Sequence, residues 1–248
     1  MKPVAMYVNR LVWAITLTLM VGCMKPGASS SERADTTEGY YQLAAEMCAA
    51  SQYDSALVWL KLALEKGLEK PMRVVRDRNF SPLIDHPDYR PDIRSLLKSF
   101  ASEHQATMVS KREAGTPLSL SAKVLDESTH LPVQHVQVEL VQADHEGRYF
   151  NEPSKWNPRL FAYLITDEKG EFSIHTIRPG RYRDDQDMEV PAHIHFTLEA
   201  RGYRMYASEF TFEDDSILMA RGNTDGVAVA LRQGEQGLYS ITLYLQRE

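Results

Sequence analysis

Between residues 108 and 116 the hydrophobic period of this 248-residue chain changes, and that change sets what it can fold into. Before it, Tyr40, Leu43, Ala44 and Met47 recur at the three-and-four spacing of one helix face. Ala56, Leu57, Leu60 and Ala63 repeat the pattern, with Asp54 expected as the N-cap and Gly67 as the stop. After it, Leu118–Leu125 and Val133–Val141 alternate with period two across the turn-forming 126–132. Phe161–Ile165 and Glu171–Ile174 flank Asp167-Glu-Lys-Gly170, which predicts a hairpin turn, and 193–200, 209–212, 227–231 and 239–245 supply further strands. Asp214-Asp215 is expected to be a solvated turn. Short strands divided by turn residues indicate a sandwich or barrel. The expected fold is therefore mainly β, with a small helical module at 39–110 and an all-β unit at 117–248.

The helical part resembles one tetratricopeptide repeat in Tyr40, Leu43, Ala44, Ala56, Leu60 and Ala63, continued in degenerate form through 77–90 and 93–100. One and a half repeats cannot bury their own apolar face, so the module is expected to pack on something else, and a protein partner is one expectation for it.

The first 22 residues read as a targeting segment. Lys2 and Arg10 precede an apolar run from Leu11 to Val21, short for a membrane span but suited to a secretory signal. Met20-Val-Gly-Cys23 resembles the lipobox of bacterial lipoproteins, which implies lipidation at Cys23, an extracytoplasmic location in the cell envelope and membrane attachment through the lipid. Residues 23–38 then form a flexible tether rich in Ser, Gly, Pro and charge. Cys48 is left as a buried helical thiol. A formal net charge of -6 with no Lys/Arg cluster argues against nucleic-acid binding.

The chemistry-bearing residues gather late in the chain. His193 and His195 alternate on one strand, so both imidazoles share a face roughly 6–7 Å apart along the backbone. Tyr182 stands just upstream, after Pro179-Gly180 and before a short acidic loop. Imidazole with a phenolate oxygen suits a hard, highly charged ion. With eight histidines in the chain such a pair can arise by chance, and two hydrogen-bonded strand histidines fit it equally well.

The order of motifs decides between them. Gly147-Arg-Tyr149, Thr166-Asp-Glu-Lys-Gly-Glu-Phe172, Thr176-Ile-Arg-Pro-Gly-Arg-Tyr182 and Pro191-Ala-His-Ile-His-Phe196 together resemble the intradiol ring-cleavage dioxygenases, the catechol and protocatechuate dioxygenases among them. Val124–Val133 resembles their first strand and turn, and the likeness covers about 117–246. It implies a β-sandwich holding non-haem Fe(3+) through Tyr149, Tyr182, His193 and His195, with Tyr163 the competing phenol for the place of Tyr149. It further implies an aromatic diol and O2 as substrates, a muconate-type diacid as product, Tyr149 as the base taking a catechol proton, and homodimers, which are frequent in the family.

Two departures bear on activity. Val190 stands where family enzymes usually carry the arginine that steadies a developing carbanion, and Gly180-Arg-Tyr-Arg183 replaces Gly-Pro-Tyr-Pro. Arg181, Arg183 and Arg201 are the substitutes within reach along the chain; Arg183 and Arg201 are carried forward as catalytic candidates. The alternatives to catechol cleavage are a lipoprotein that binds metal or aromatic ligands without turnover, and an interaction protein acting through its helices.

Overall fold

A computed structural model describes residues 35–150, 157–221, 228–234 and 237–248. The targeting segment, Cys23 and most of the tether lie outside the described residues. The last tether residues are already folded, because helix α1 (Thr37–Ala49) starts two residues before Gly39, with the Thr36 hydroxyl accepting the Gly39 N–H.

Helix α1 packs on α2 (Tyr53–Glu65) through small residues, Ala44, Ala45 and Cys48 against Ala56, Leu60 and Ala63, with Tyr40 stacked on Trp59 at 5.7 Å. The buried face of α1 is centred on Tyr41, Ala44 and Cys48, a slight rotation from the expected stripe, and Tyr40, Leu43 and Met47 are only partly buried. Asp54 lies inside the first turn of α2 rather than at its N-cap, which is Gln52, and its carboxylate faces the Tyr89 hydroxyl. Short helices α3 (Arg73–Arg76) and α4 (Ser81–Asp85) lead into α5 (Arg90–Ser99). Arg90 is wholly buried and donates to the carbonyls of Ile84, Asp85 and Asn157, tying the helices to the strand region.

The strands are β1 (Gln105–Thr107), β2 (Pro117–Asp126), β3 (Gln137–Gln142), β4 (Leu160–Ile165), β5 (Glu171–Ile177), β6 (Tyr182–Arg183), β7 (Glu189–Val190), β8 (His193–Glu199), β9 (Tyr206–Phe212), β10 (Ala228–Arg232) and β11 (Leu238–Leu245), with helix α6 (Ser216–Arg221) after β9. The hydrogen-bonded order β1-β5-β2-β11-β10-β9-β8-β3-β4 folds over on itself as a sandwich. Strand β10 belongs to both layers: Ala228–Ala230 run parallel to β9, while Leu231 and Arg232 pair with β11. Strands that change sheet in this way make the corners of a sandwich.

Alternation then builds the core. Leu118, Leu120, Ala122 and Val124 of β2 and Leu243 and Leu245 of β11 face inward, as do Val138 and Leu140 of β3, Ile194, Phe196 and Leu198 of β8, and Phe210 and Phe212. They form one apolar cluster that continues into the helices, so the helical segment shares the core of the sandwich.

One local expectation fails. Asp167–Gly170 is a tight turn, with the Gly170 N–H on the Asp167 carbonyl, but β4 and β5 do not pair across it. Strand β4 pairs with β3 and β5 with β2, so the turn carries the chain between layers. Good turn chemistry specifies the bend and not the partner of the strands it joins.

Candidate metal centre

On β8 the even-numbered residues enter the core, which puts His193, His195 and Thr197 on the outer face of their sheet. Cross-strand partners share that face, and a row Phe161–Val141–His195–Glu209 therefore crosses four strands. Helix α5 covers one end of the face: Arg94 lies 5.4 Å over the Phe161 ring and reaches Tyr163 and Glu139, and Lys98 also meets Glu139. The histidines and Glu209 occupy the other.

Two loops bring the phenols over this face. Buried Gln142 at the end of β3 donates to the Ile177 carbonyl and accepts from the Thr176 hydroxyl of β5, fastening the two layers where both loops begin. In the first loop the Asp144 side chain accepts the N–H groups of Glu146 and Arg148, and the Tyr149 carbonyl accepts from Arg159. In the second, the Gly180 N–H donates to the Asp144 carbonyl at 2.7 Å. A Cβ on Gly180 would lie 2.4 Å from Gly147 N, and one on Gly147, whose φ is +82°, would lie 2.4 Å from the Arg181 carbonyl. Only two glycines allow this backbone approach, which sets the Tyr149 and Tyr182 rings 6.0 Å apart and nearly perpendicular.

Tyr149, Tyr182, His193 and His195 converge. The Tyr149 hydroxyl is 2.7 Å from His193 Nε2, and His193 Nε2 is 3.2 Å from His195 Nε2. The Tyr182 ring lies 5.6 Å from that of His193. His193 Nδ1 is 2.8 Å from the Pro191 carbonyl, which assigns the proton to Nδ1 and leaves Nε2 as the inward lone pair. Burial pushes the Tyr149 hydroxyl well above the usual phenol range, with the neighbouring Tyr182 and Glu209 adding to it, and raises Tyr182 for the same first reason. Burial and the adjacent His193 lower His195.

These directions describe the residues without an ion, and a bound cation reverses them for the phenols. The donor set fits a trivalent ion: imidazole nitrogens at the spacing of neighbouring ligands, and phenol oxygens close enough to share the same centre. Tyr163 is elsewhere, buried under α5 with its hydroxyl on Arg94 and pushed up to about 12 by burial. The structure thus separates the two phenols that compete along the chain.

The candidate arginines are not in the cluster. Arg183 is held within the β6–β7 hairpin by the Asp187 carbonyl and by Asp187 and Glu189 carboxylates. Arg201 is exposed in the turn after β8, six residues beyond His195, roughly 15–20 Å away along an extended strand. Val190 pairs directly with Tyr182 across the hairpin.

Two acidic residues take part in the site without having been expected to. Glu209 joins His193 and His195 as a potential ligand group, its Oε2 3.8 Å from His193 Nε2 and 3.7 Å from His195 Nδ1. An isolated Glu in a strand has no motif; only its position opposite His195 could have singled it out. Asp215 is wholly buried, contrary to the solvated turn expected of Asp214-Asp215. Its carboxylate accepts from Ala192 N, Arg181 Nε and Ile217 N, so it ties the Tyr182 segment to the start of the histidine strand. Burial alone would raise this carboxyl, but those donors outweigh it and hold it below the usual range.

The chain is similar to known proteins over about half of its length. The dioxygenase family model matches residues 84–234. Catechol 1,2-dioxygenase 2 of Acinetobacter lwoffii is 26% identical over 151 residues, 54% of this chain and 54% of that protein. The protocatechuate 3,4-dioxygenase alpha chain of Pseudomonas putida is 29% identical over 104 residues, 41% of this chain and 51% of its own length. This chain spans about half the length of these curated relatives. In fold it is similar to the catechol 1,2-dioxygenase of Acinetobacter radioresistens, with a TM-score of 0.50 at 20% identity over 60% of this chain and 58% of that one. By its sandwich, its converging phenols and imidazoles and its match over residues 84–234, the chain belongs to the intradiol ring-cleavage dioxygenase family.

Proposed function

We propose that this protein binds ferric iron through Tyr149, Tyr182, His193 and His195 and cleaves a catechol-type diol with O2 to a muconate-type diacid. The observation that carries the proposal is the 2.7 Å and 3.2 Å spacing of the Tyr149 hydroxyl, His193 Nε2 and His195 Nε2 around one point. What ferric iron supplies there, when bound, is chelation of the diol and its activation toward dioxygen. The protein's own share is placement and proton handling. The Pro191 carbonyl fixes the His193 tautomer, and Asp215 holds the histidine strand against the segment of Tyr182. Tyr149, half-buried and beside Tyr182, is the group we assign to take a diol proton at its phenolic oxygen. Val141, half-buried and paired with His195, continues the floor beside it as an apolar surface, which ends where α5 covers Phe161.

Metal analysis with an oxygen-electrode screen of catechols tests the reading. Bound iron with oxygen uptake on at least one catechol supports it; absence of bound iron after reconstitution overturns it.

A second reading, metal and ligand binding without turnover, is favoured by one observation. Val190 faces Tyr182, Arg183 is paired within its own hairpin, and Arg201 lies exposed in the turn after β8. Iron binding without oxygen uptake would select it. Attachment to the membrane through Cys23 completes the proposal and rests on Met20–Cys23 alone. C23S should move the protein from the membrane to the soluble fraction.

A further inference from the structure

We infer that Glu209 makes this site select against diols bearing a carboxylate and in favour of diols bearing an ammonium group; this rests on the diol-binding reading proposed above. Glu209 is directly across from His195, on the face that holds the centre, and within 4.8 Å of both histidine ligand atoms. It is also reachable. Its side chain keeps 36% of its surface exposed and that of His195 42%, whereas His193 keeps 2%, so the centre opens to solvent on the Glu209 side.

Among the described residues the charges around it are unbalanced. On the segments carrying Tyr149 and Tyr182, the arginines among the described residues are engaged: Arg181 by Asp215, Arg178 by Asp214, Arg183 by Asp187 and Glu189, Arg159 by Glu113, and Arg148 by Asp144 and Glu146. Among the described residues, the ion-pair partners of Glu209 are the two imidazoles, which are neutral when they serve as ligands. The residue paired with Tyr182 is Val190, which contributes no charge.

A diol chelated beside His195 therefore has the apolar Val141 on one side and the carboxylate of Glu209 on the other. A substituent of negative charge is repelled there and one of positive charge is paired, in a partly dry site where such terms are not fully screened. Glu209 is thus a specificity-determining residue.

The test uses the iron-loaded protein without oxygen and reads the shift of its tyrosinate-to-iron visible band. Three diols differing only in the side group are titrated: 4-methylcatechol, 3,4-dihydroxybenzoate and 3,4-dihydroxyphenethylamine. The expected order of affinity is ammonium, then neutral, then carboxylate, with the two charged diols about tenfold or more apart. E209Q should bring that ratio to within about threefold. A ratio unchanged in E209Q, or a carboxylate diol bound as tightly as the ammonium diol by the parent protein, overturns the inference and leaves diol binding standing. Protein that takes up iron but shows no band shift with any of the three overturns both.

Discussion

Asp215 and Arg181 form an ion pair, 3.1 Å from Oδ2 to Nε, in which the carboxylate is wholly buried and the same oxygen accepts the Ala192 N–H at 3.1 Å. One carboxylate thereby joins residues next to two separate candidate ligands, Tyr182 and His193. Replacing it with an amide keeps the shape but discards the charge and one acceptor. D215N should lower stability by about 1–3 kcal/mol and weaken iron binding as well. Urea unfolding and an iron titration check the two effects. Unchanged iron affinity in a destabilised variant would make the role of Asp215 purely structural.

The approach of Gly147 to Gly180 leads to a second expectation. A methyl group at 180 meets backbone atoms rather than a flexible side-chain end, so the loops must separate. G180A should cost about 1–3 kcal/mol and reduce the visible band of the iron-loaded protein. Band intensity per bound iron, read beside thermal unfolding, reports the separation of the phenols directly.

Removal of one phenol oxygen gives the simplest spectroscopic prediction. Y182F and Y149F should each weaken or shift the tyrosinate-to-iron band, while Y163F should leave it unchanged, because Tyr163 is occupied with Arg94 beneath α5. A band surviving both Y149F and Y182F would remove these tyrosines from the ligand set.

Arg90 is a wholly buried polar link between the helices and the sandwich region. R90M would leave the carbonyls of Ile84, Asp85 and Asn157 without that donor, and about 1–3 kcal/mol of stability should be lost for each that stays buried and unpaired. Chemical denaturation measures it.

The pH dependence should carry the mark of Asp126. Its carboxylate accepts from the Ser128 hydroxyl first of all, then from the Thr129 N–H and the Tyr203 hydroxyl, with Arg247 Nε at 2.6 Å, and its pKa is lowered. A folded pKa below the unfolded one, about 3.9, means the stabilisation is complete above that value and is lost as pH falls through it toward the folded pKa. Unfolding midpoints measured downward from pH 5 should fall less steeply in D126N than in the parent.

How much of this was legible beforehand varies by residue. Strands β2 and β3 follow from alternation, since period two is a property of the strand itself, and β4, β5, β8, β9, β10 and β11 from short runs set off by turn residues. Strands β6 and β7, two residues each, have no period to detect, yet they place Tyr182 and Val190 opposite each other. The mispaired hairpin at Asp167–Gly170 has the same origin: partners are chosen by burial across the whole sandwich.

By itself the sequence determined the change from helix to strand, the sandwich class and Tyr182, His193 and His195 as one candidate cluster, because these depend on local spacing and on ordered motifs. Only the tertiary structure decided that Tyr149 rather than Tyr163 meets the histidines, that Asp215 is a buried clamp and that Glu209 stands beside His195. Each of those depends on which strands lie side by side, and residues brought together from opposite ends of such pairings carry no common signal along the chain. The carboxylate of Glu209 acquires its meaning from the imidazole directly across from it.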